Sequence, residues 1–314
     1  MSNARPSYPA KRFRNSMLRF ALAGSIGLAS CTAIRPPLET AMPPSFSFVQ
    51  LCDTQLGMGG YADDVARFRS AVRQINRIHP DFAIICGDLI HVADEQSFSD
   101  FNAIWANFEI PCYRAPGNHD VKNAPTPESL AYYRETIGKD YYAFEHKGRL
   151  FVIVNTQLWK APLEIETATQ DRWLAGTLAD AQNKGLPVFI AGHYPLFINT
   201  PDEPEEYMNL PLERRRALLD LMTSHGVVAV LGGHTHRFLS NDYQGIQFVN
   251  GETTSKNFDG RPFGFRLWHI GPDRPFRHEF VPLDVLQSGS KYALNPTQWR
   301  RAMGLRSSRM DRVD

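Results

Sequence analysis

Five short apolar runs in this chain end in the same kind of residue, and no other feature restricts its fold as strongly. "FSFVQLCD" runs out at Asp53, with Gln55 two residues later. "FAIICGD" runs out at Asp88. "CYRAPGNHD" delivers Asn118, His119 and Asp120, "VFIAGH" delivers His193, and "VVAVLGGHTH" delivers His234 and His236. Each run has the length and apolar content of a buried strand. Glycines sit beside all but the first polar group (Gly87, Gly117, Gly192, Gly232, Gly233), where they permit sharp turns and close backbone approach. Loops at the C-terminal ends of strands are where open α/β sheets build sites. One such ending carries little information. Five in order call for a fold in which strand ends converge.

The intervening chain supplies that fold. Val65, Phe68, Val72, Ile75 and Ile78 recur at helical spacing and predict a helix over 63–80, stopped by Pro80. Further helices are predicted over 95–108, 169–185 and 211–226, and a hairpin over 141–156 turning at Lys147-Gly148. From Phe238 to Leu283 short strands alternate with Gly and Asn turns. The pattern predicts one α/β domain over 46–285, with two sheets face to face and helices outside. "TPDEPEEYMNL" (200–210) reads as an acidic solvated loop or lid, and Cys52, Cys86 and Cys112 as buried free thiols.

The flanks read differently. Arg5, Lys11, Arg12, Arg14 and Arg19 precede "FALAGSIGLAS", an apolar stretch too short to span a bilayer permanently, and no acid occurs in 1–30. "LASC" (28–31) resembles the lipobox of bacterial lipoproteins, which places a lipidated Cys31 in the cell envelope, facing the periplasm in a Gram-negative cell. A generic signal peptide or a disordered arm is the alternative. Residues 31–45 are Pro-rich and read as a tether, and 286–314 as a basic tail whose "TQWRRAMGL" could lie on anionic lipid or remain a solvated end. A formal net charge of +1 argues against bulk attraction to nucleic acid. A monomer is the expectation.

The ordered set Asp-x-Gln, Gly-Asp, Gly-Asn-His-Asp, Gly-His, Gly-His-x-His resembles the calcineurin-like metallophosphoesterase superfamily over roughly 46–283. Gln in place of the usual His in "CDTQLG", together with "CGDLIH", "YYAF" and "FVIVNTQ", is most similar to the subgroup called calcineurin-like phosphoesterase domain-containing protein 1. The resemblance implies a four-layer α/β/β/α sandwich of two mixed sheets around two divalent ions. Asp53, His236 and Gln55 would hold one ion, Asp88 would bridge, and Asn118, His193 and His234 would complete the second. That O/N donor set suits Mn²⁺, Fe or Zn²⁺. The reaction implied is hydrolysis of a phosphate ester by in-line attack of a hydroxide held between the ions, phosphomonoesters foremost and phosphoserine or phosphothreonine among them. His119 would serve as general acid and touch the substrate with Asn118, and Asp120 would orient the His119 ring.

Arg237 could reach a substrate phosphate or stay on the surface, and His91 reads as a packing or supporting residue. His79, His146, His225, His269 and His278 lie in turn, hairpin or late-strand contexts. Two alternatives stand beside the phosphomonoesterase reading: a phosphodiesterase acting on cyclic nucleotides or lipid head groups, and a non-catalytic metal-binding lipoprotein.

Overall fold

Phenylalanine and β-branched residues dominate the predicted strands, and they meet in the middle of the molecule. The computed structural model describes residues 44–272 and 276–284, which fall within the compact unit Met42–Asp314. The leader 1–30, the tether as far as residue 43 and the tail 286–314 lie outside the described residues. In chain order the elements are β1 (Phe46–Leu51), α1 (Tyr61–Ile78), β2 (Phe82–Cys86), α2 (Glu95–Trp105), β3 (Cys112–Ala115), α3 (Asn118–Val121), α4 (Pro127–Thr136), β4 (Tyr142–His146), β5 (Arg149–Ile153), α5 (Gln157–Lys160), α6 (Glu164–Lys184), β6 (Val188–Ala191), α7 (Leu212–Ser224), β7 (Val227–Gly232), β8 (Leu239–Tyr243), β9 (Ile246–Asn250), β10 (Gly264–Ile270) and β11 (Phe276–Pro282).

Two mixed sheets result. One has strand order β11-β10-β1-β2-β3 and the other β4-β5-β6-β7-β9-β8. Strands β1, β2 and β3 are parallel to one another, as are β5, β6, β7 and β9, so the site-bearing ends within each sheet emerge on one side. Three apolar clusters define four layers. Phe68, Val72, Phe98, Phe101, Leu130 and Tyr133 cover the outer face of the first sheet, and Leu174, Leu178, Leu218 and Met222 that of the second. Between the sheets lie Phe48, Phe82, Phe151, Phe189, Leu231 and Trp268. Phe48 stacks on Phe82 and Trp268 at 5.1 and 5.5 Å, adding specific ring contacts to the burial of a large apolar area.

One polar side chain crosses this apolar layer. Gln50, fully buried in β1, accepts from Trp268 Nε1 at 3.0 Å and donates to the carbonyls of Gly232 and Val249 in the opposite sheet. A buried amide satisfied on both sides fixes the relative placement of the sheets, because any shift leaves it unpaired.

Several boundaries differ from expectation for local reasons. Helix α4 was not anticipated: it carries few apolar residues, and its start is set by Thr126 and Ser129 bonding each other's backbone N–H across Pro127. Helix α6 begins at Glu164 rather than 169. Ile78 is exposed and Asp64 takes a buried place on α1, its carboxylate accepting from the N–H groups of Gly57 and Gly59. Cys52 and Cys86 are buried free thiols, whereas Cys112 is only half-buried.

Candidate metal centre

Strand β1 stops at Leu51, so Asp53 and Gln55 lie beyond its end. They leave the sheet on left-handed backbone, with φ of 49° and 29°. Asp88, His234 and His236 do the same, at 47°, 68° and 54°. Non-glycine residues adopt this region rarely and at a cost on the order of 1 kcal/mol or more each, and clusters of them mark functional sites. Two glycines make room for the convergence. A Cβ on Gly117 would lie 2.1 Å from Asp88 Oδ1, and one on Gly233 2.7 Å from Asp53 Oδ2.

The gathered donors form two groups that share one residue. Single ligand atoms of Asp53, Asp88 and His236 lie within 4.8 Å of one another, as do those of Asp88, His193 and His234, and all five residues are buried. Asn118 joins the second group, its Oδ1 lying 3.1 Å from His193 Nε2. Gln55 is tied to the shared residue by its N–H on the Asp88 carbonyl at 2.8 Å. Its Oε1 is buried with no partner.

The residues fit a pair of cations. His193 Nδ1 donates to the Cys86 carbonyl at 2.9 Å, which turns Nε2 to the centre. That nitrogen faces Asn118 Oδ1, Asp88 Oδ2 and His234 Nδ1, all within 3.2 Å. Such crowding of buried nitrogen and oxygen atoms calls for positive charge in the middle. Among the described residues no lysine or arginine pairs with Asp53 or Asp88; only histidines do. The ionisation of the ligands carries the same demand. Burial opposes a charge on His193, but Asp88 and Asp53 outweigh it and lift the ring to about 10. Burial and the neighbouring His193 push His234 down to about 3. Burial raises Asp53 above the usual carboxylate range, while Asp88 is held below it against burial by His193.

Supporting bonds orient the ligands. Asp53 accepts from the His234 N–H at 3.0 and 3.1 Å, and Thr253 Oγ1 donates to the Asp53 carbonyl. Thr156 Oγ1 accepts from the N–H groups of His193 and Tyr194. His236 Nδ1 is bound to the Lys256 carbonyl, and His234 Nε2 to that of Tyr207 at 3.3 Å. Each of these two contacts fixes one ring nitrogen and turns the other to the centre. The sequence reading missed Thr156, Tyr207, Thr253 and Ser255, the last donating from Oγ to the Gln55 carbonyl at 3.2 Å. Thr156 stood at a strand end in "FVIVNTQ" and could have been flagged there; the others follow no pattern readable in one dimension.

The expected role of Asp120 needs correction. It does not touch the His119 ring. Its carboxylate accepts from the N–H groups of Leu89, Ile90 and Gly117, at 2.7 to 3.2 Å, and so ties the Asp88 turn to the Asn118 turn. Burial, then the charge of Asp88, push it up to about 8. The ring of His119 is oriented by a backbone group instead, with Nδ1 on the His91 carbonyl at 2.8 Å, and it stacks on His91 at 4.7 Å. The His119 N–H meets Asp88 Oδ1 at 3.0 Å. His91 therefore supports His119 from beneath. Arg237 follows His236 but is exposed, and its side chain has no polar partner among the described residues.

Residues 46–238 match the family model described as calcineurin-like phosphoesterase. Serine/threonine-protein phosphatase CPPED1 of Mus musculus is 30% identical over 269 residues, covering 78% of this chain and 86% of the relative. A probable cyclic nucleotide phosphodiesterase of Rhodopseudomonas palustris is 28% identical over 220 residues, 64% of this chain and 75% of its own. Among solved structures, a dimetal phosphatase from Danio rerio superposes with a TM-score of 0.56 at 18% identity, over 76% of this chain and 99% of that one.

Proposed function

The chain belongs to the calcineurin-like phosphoesterase family and is a hydrolase of phosphate esters, and from that premise we propose that it is a phosphomonoesterase working at a two-metal centre. The observation that carries this reading is the pair of buried donor groups joined at Asp88. Two divalent ions bound there would supply a nucleophile at neutral pH and neutralise charge on a transferring phosphoryl group. Asp53, Gln55 and His236 would hold one, Asn118, His193 and His234 the other, with Asp88 between. The all O/N donor set favours Mn²⁺, Fe or Zn²⁺ over soft ions.

The protein's own groups supply the rest. His119 Nδ1 is committed to the His91 carbonyl, so Nε2 is the atom that exchanges a proton with the departing ester oxygen. Asp120 holds the turns that carry Asp88 and Asn118, a positioning role. The name of the curated relative, a serine/threonine-protein phosphatase, supports phosphoserine or phosphothreonine esters as a substrate class. The resemblance to a probable cyclic nucleotide phosphodiesterase favours diesters as the second reading.

The two separate on a simple panel. The full-length chain, supplied in turn with Mn²⁺, Mg²⁺ and Zn²⁺, should hydrolyse 4-nitrophenyl phosphate faster than bis(4-nitrophenyl) phosphate. Equal or faster diester cleavage would transfer the assignment to the second reading.

A further inference from the structure

The acidic loop 200–210 meets the metal centre through Tyr207, and three of its four acids are engaged elsewhere. Glu203 accepts from the N–H groups of Ile198, Asn199 and Thr200 and from Asn209 Nδ2. Asp202 pairs with Arg216, and Glu205 with Lys160. Beneath the loop, Arg215 is fully buried in α7 and spends its guanidinium on three loop carbonyls, those of Pro201, Glu203 and Leu210, at 2.7 to 2.8 Å. Lys160 holds the carbonyls of Glu206 and Asn209. Fastened at so many points, the segment is a preformed wall.

What the wall presents is Tyr207. Its carbonyl holds His234 Nε2, and its ring lies 5.0 Å from the His234 ring, which also meets buried Tyr194 at 3.9 Å. Packing of this kind would bury an ordinary structural tyrosine, yet Tyr207 stays 55% exposed. Its hydroxyl is within reach of the Asn118 side chain. We propose that Tyr207 is a phosphoryl-binding residue, its hydroxyl donating a hydrogen bond to a non-bridging oxygen of the phosphate held at Asn118. This rests on the phosphoesterase reading and adds to it a donor carried by the 200–210 wall rather than by any of the five strand-end motifs. Because the loop is already fixed, little ordering entropy opposes the bond.

Orthophosphate is the probe. The full-length chain loaded with Mn²⁺ is compared with Tyr207→Phe, which keeps the ring and the carbonyl on His234 and removes only the hydroxyl. Calorimetric titration with orthophosphate should show affinity weakened by about ten- to a hundredfold, the worth of one hydrogen bond to a charged acceptor. Bound Mn²⁺ per chain should stay equal in the two proteins, and KM for 4-nitrophenyl phosphate should rise in the same ratio. Unchanged phosphate affinity, or a loss accompanied by loss of metal, would overturn the proposal. Failure of the phosphoesterase reading would show separately, as no ester turnover by the wild type.

Discussion

Gln55 offers its centre a neutral amide oxygen where an imidazole nitrogen would be the stronger ligand for a transition metal. Its Oε1 is buried without a partner, a state that costs about 1–3 kcal/mol unless a cation supplies the missing contact. The ion nearest Gln55 should accordingly be the weaker-held of the two and tolerate harder metals. Gln55→His should raise zinc affinity at that site by about tenfold or more, following ligand softness. Competition against a chelating dye measures it, and equal affinities in the two proteins would count against the softness argument. At this scale the sequence was readable where chemistry and position coincide: Asp53, Asp88, Asn118, His193, His234 and His236 each sit at a strand end and each reach the centre. Asp120 was misread because "NHD" places it beside His119 in the chain, whereas in space its carboxylate meets backbone from the neighbouring strand's turn.

Elements follow the same division. Strands and long helices were legible because their apolar period is local. Helix α4 and the early start of α6 were not, since caps and tertiary contacts decide them. The β10–β11 pair shows a similar long-range dependence. Arg266 pairs with buried Glu252 at 2.7 Å and donates from Nε to His278 Nδ1 at 2.9 Å. Burial, then the charge of Arg266, push His278 from 6.5 down to about 4. Between those values the unfolded chain binds a proton that the folded chain refuses, so stability is full above pH 6.5 and falls as pH drops toward 4. His278 is only partly buried, so solvent screening limits the loss to about 1 kcal/mol. His278→Phe should remove that increment. Urea denaturation of the metal-free proteins at pH 7 and pH 5 reads it, and a parallel fall in both would refute the assignment.

For the whole molecule, the decisive fact is that the donors come from both sheets. Asp53, Asp88 and Asn118 follow strands of the first sheet; His193, His234 and His236 follow strands of the second. Bound ions would hold the sheets together at the site just as Gln50 does within the core. At a hundredfold excess over Kd each ion would add about 2.7 kcal/mol, so chelation should lower Tm by roughly 10 °C for a domain of this size. A melting curve unchanged by EDTA would contradict this.

The order of the ligands along the chain has a consequence in time. A polypeptide leaving the ribosome presents Asp53, Asp88 and Asn118 long before His193, His234 and His236, and no stretch shorter than Asp53 to His236 contains both donor groups. If the leader expected from the sequence exports the chain before it folds, these residues would cross the cytoplasm unassembled. Which ions fill the centre would then be decided by the metal pool of the compartment in which the second sheet closes on the first, rather than by the pool where the chain is made.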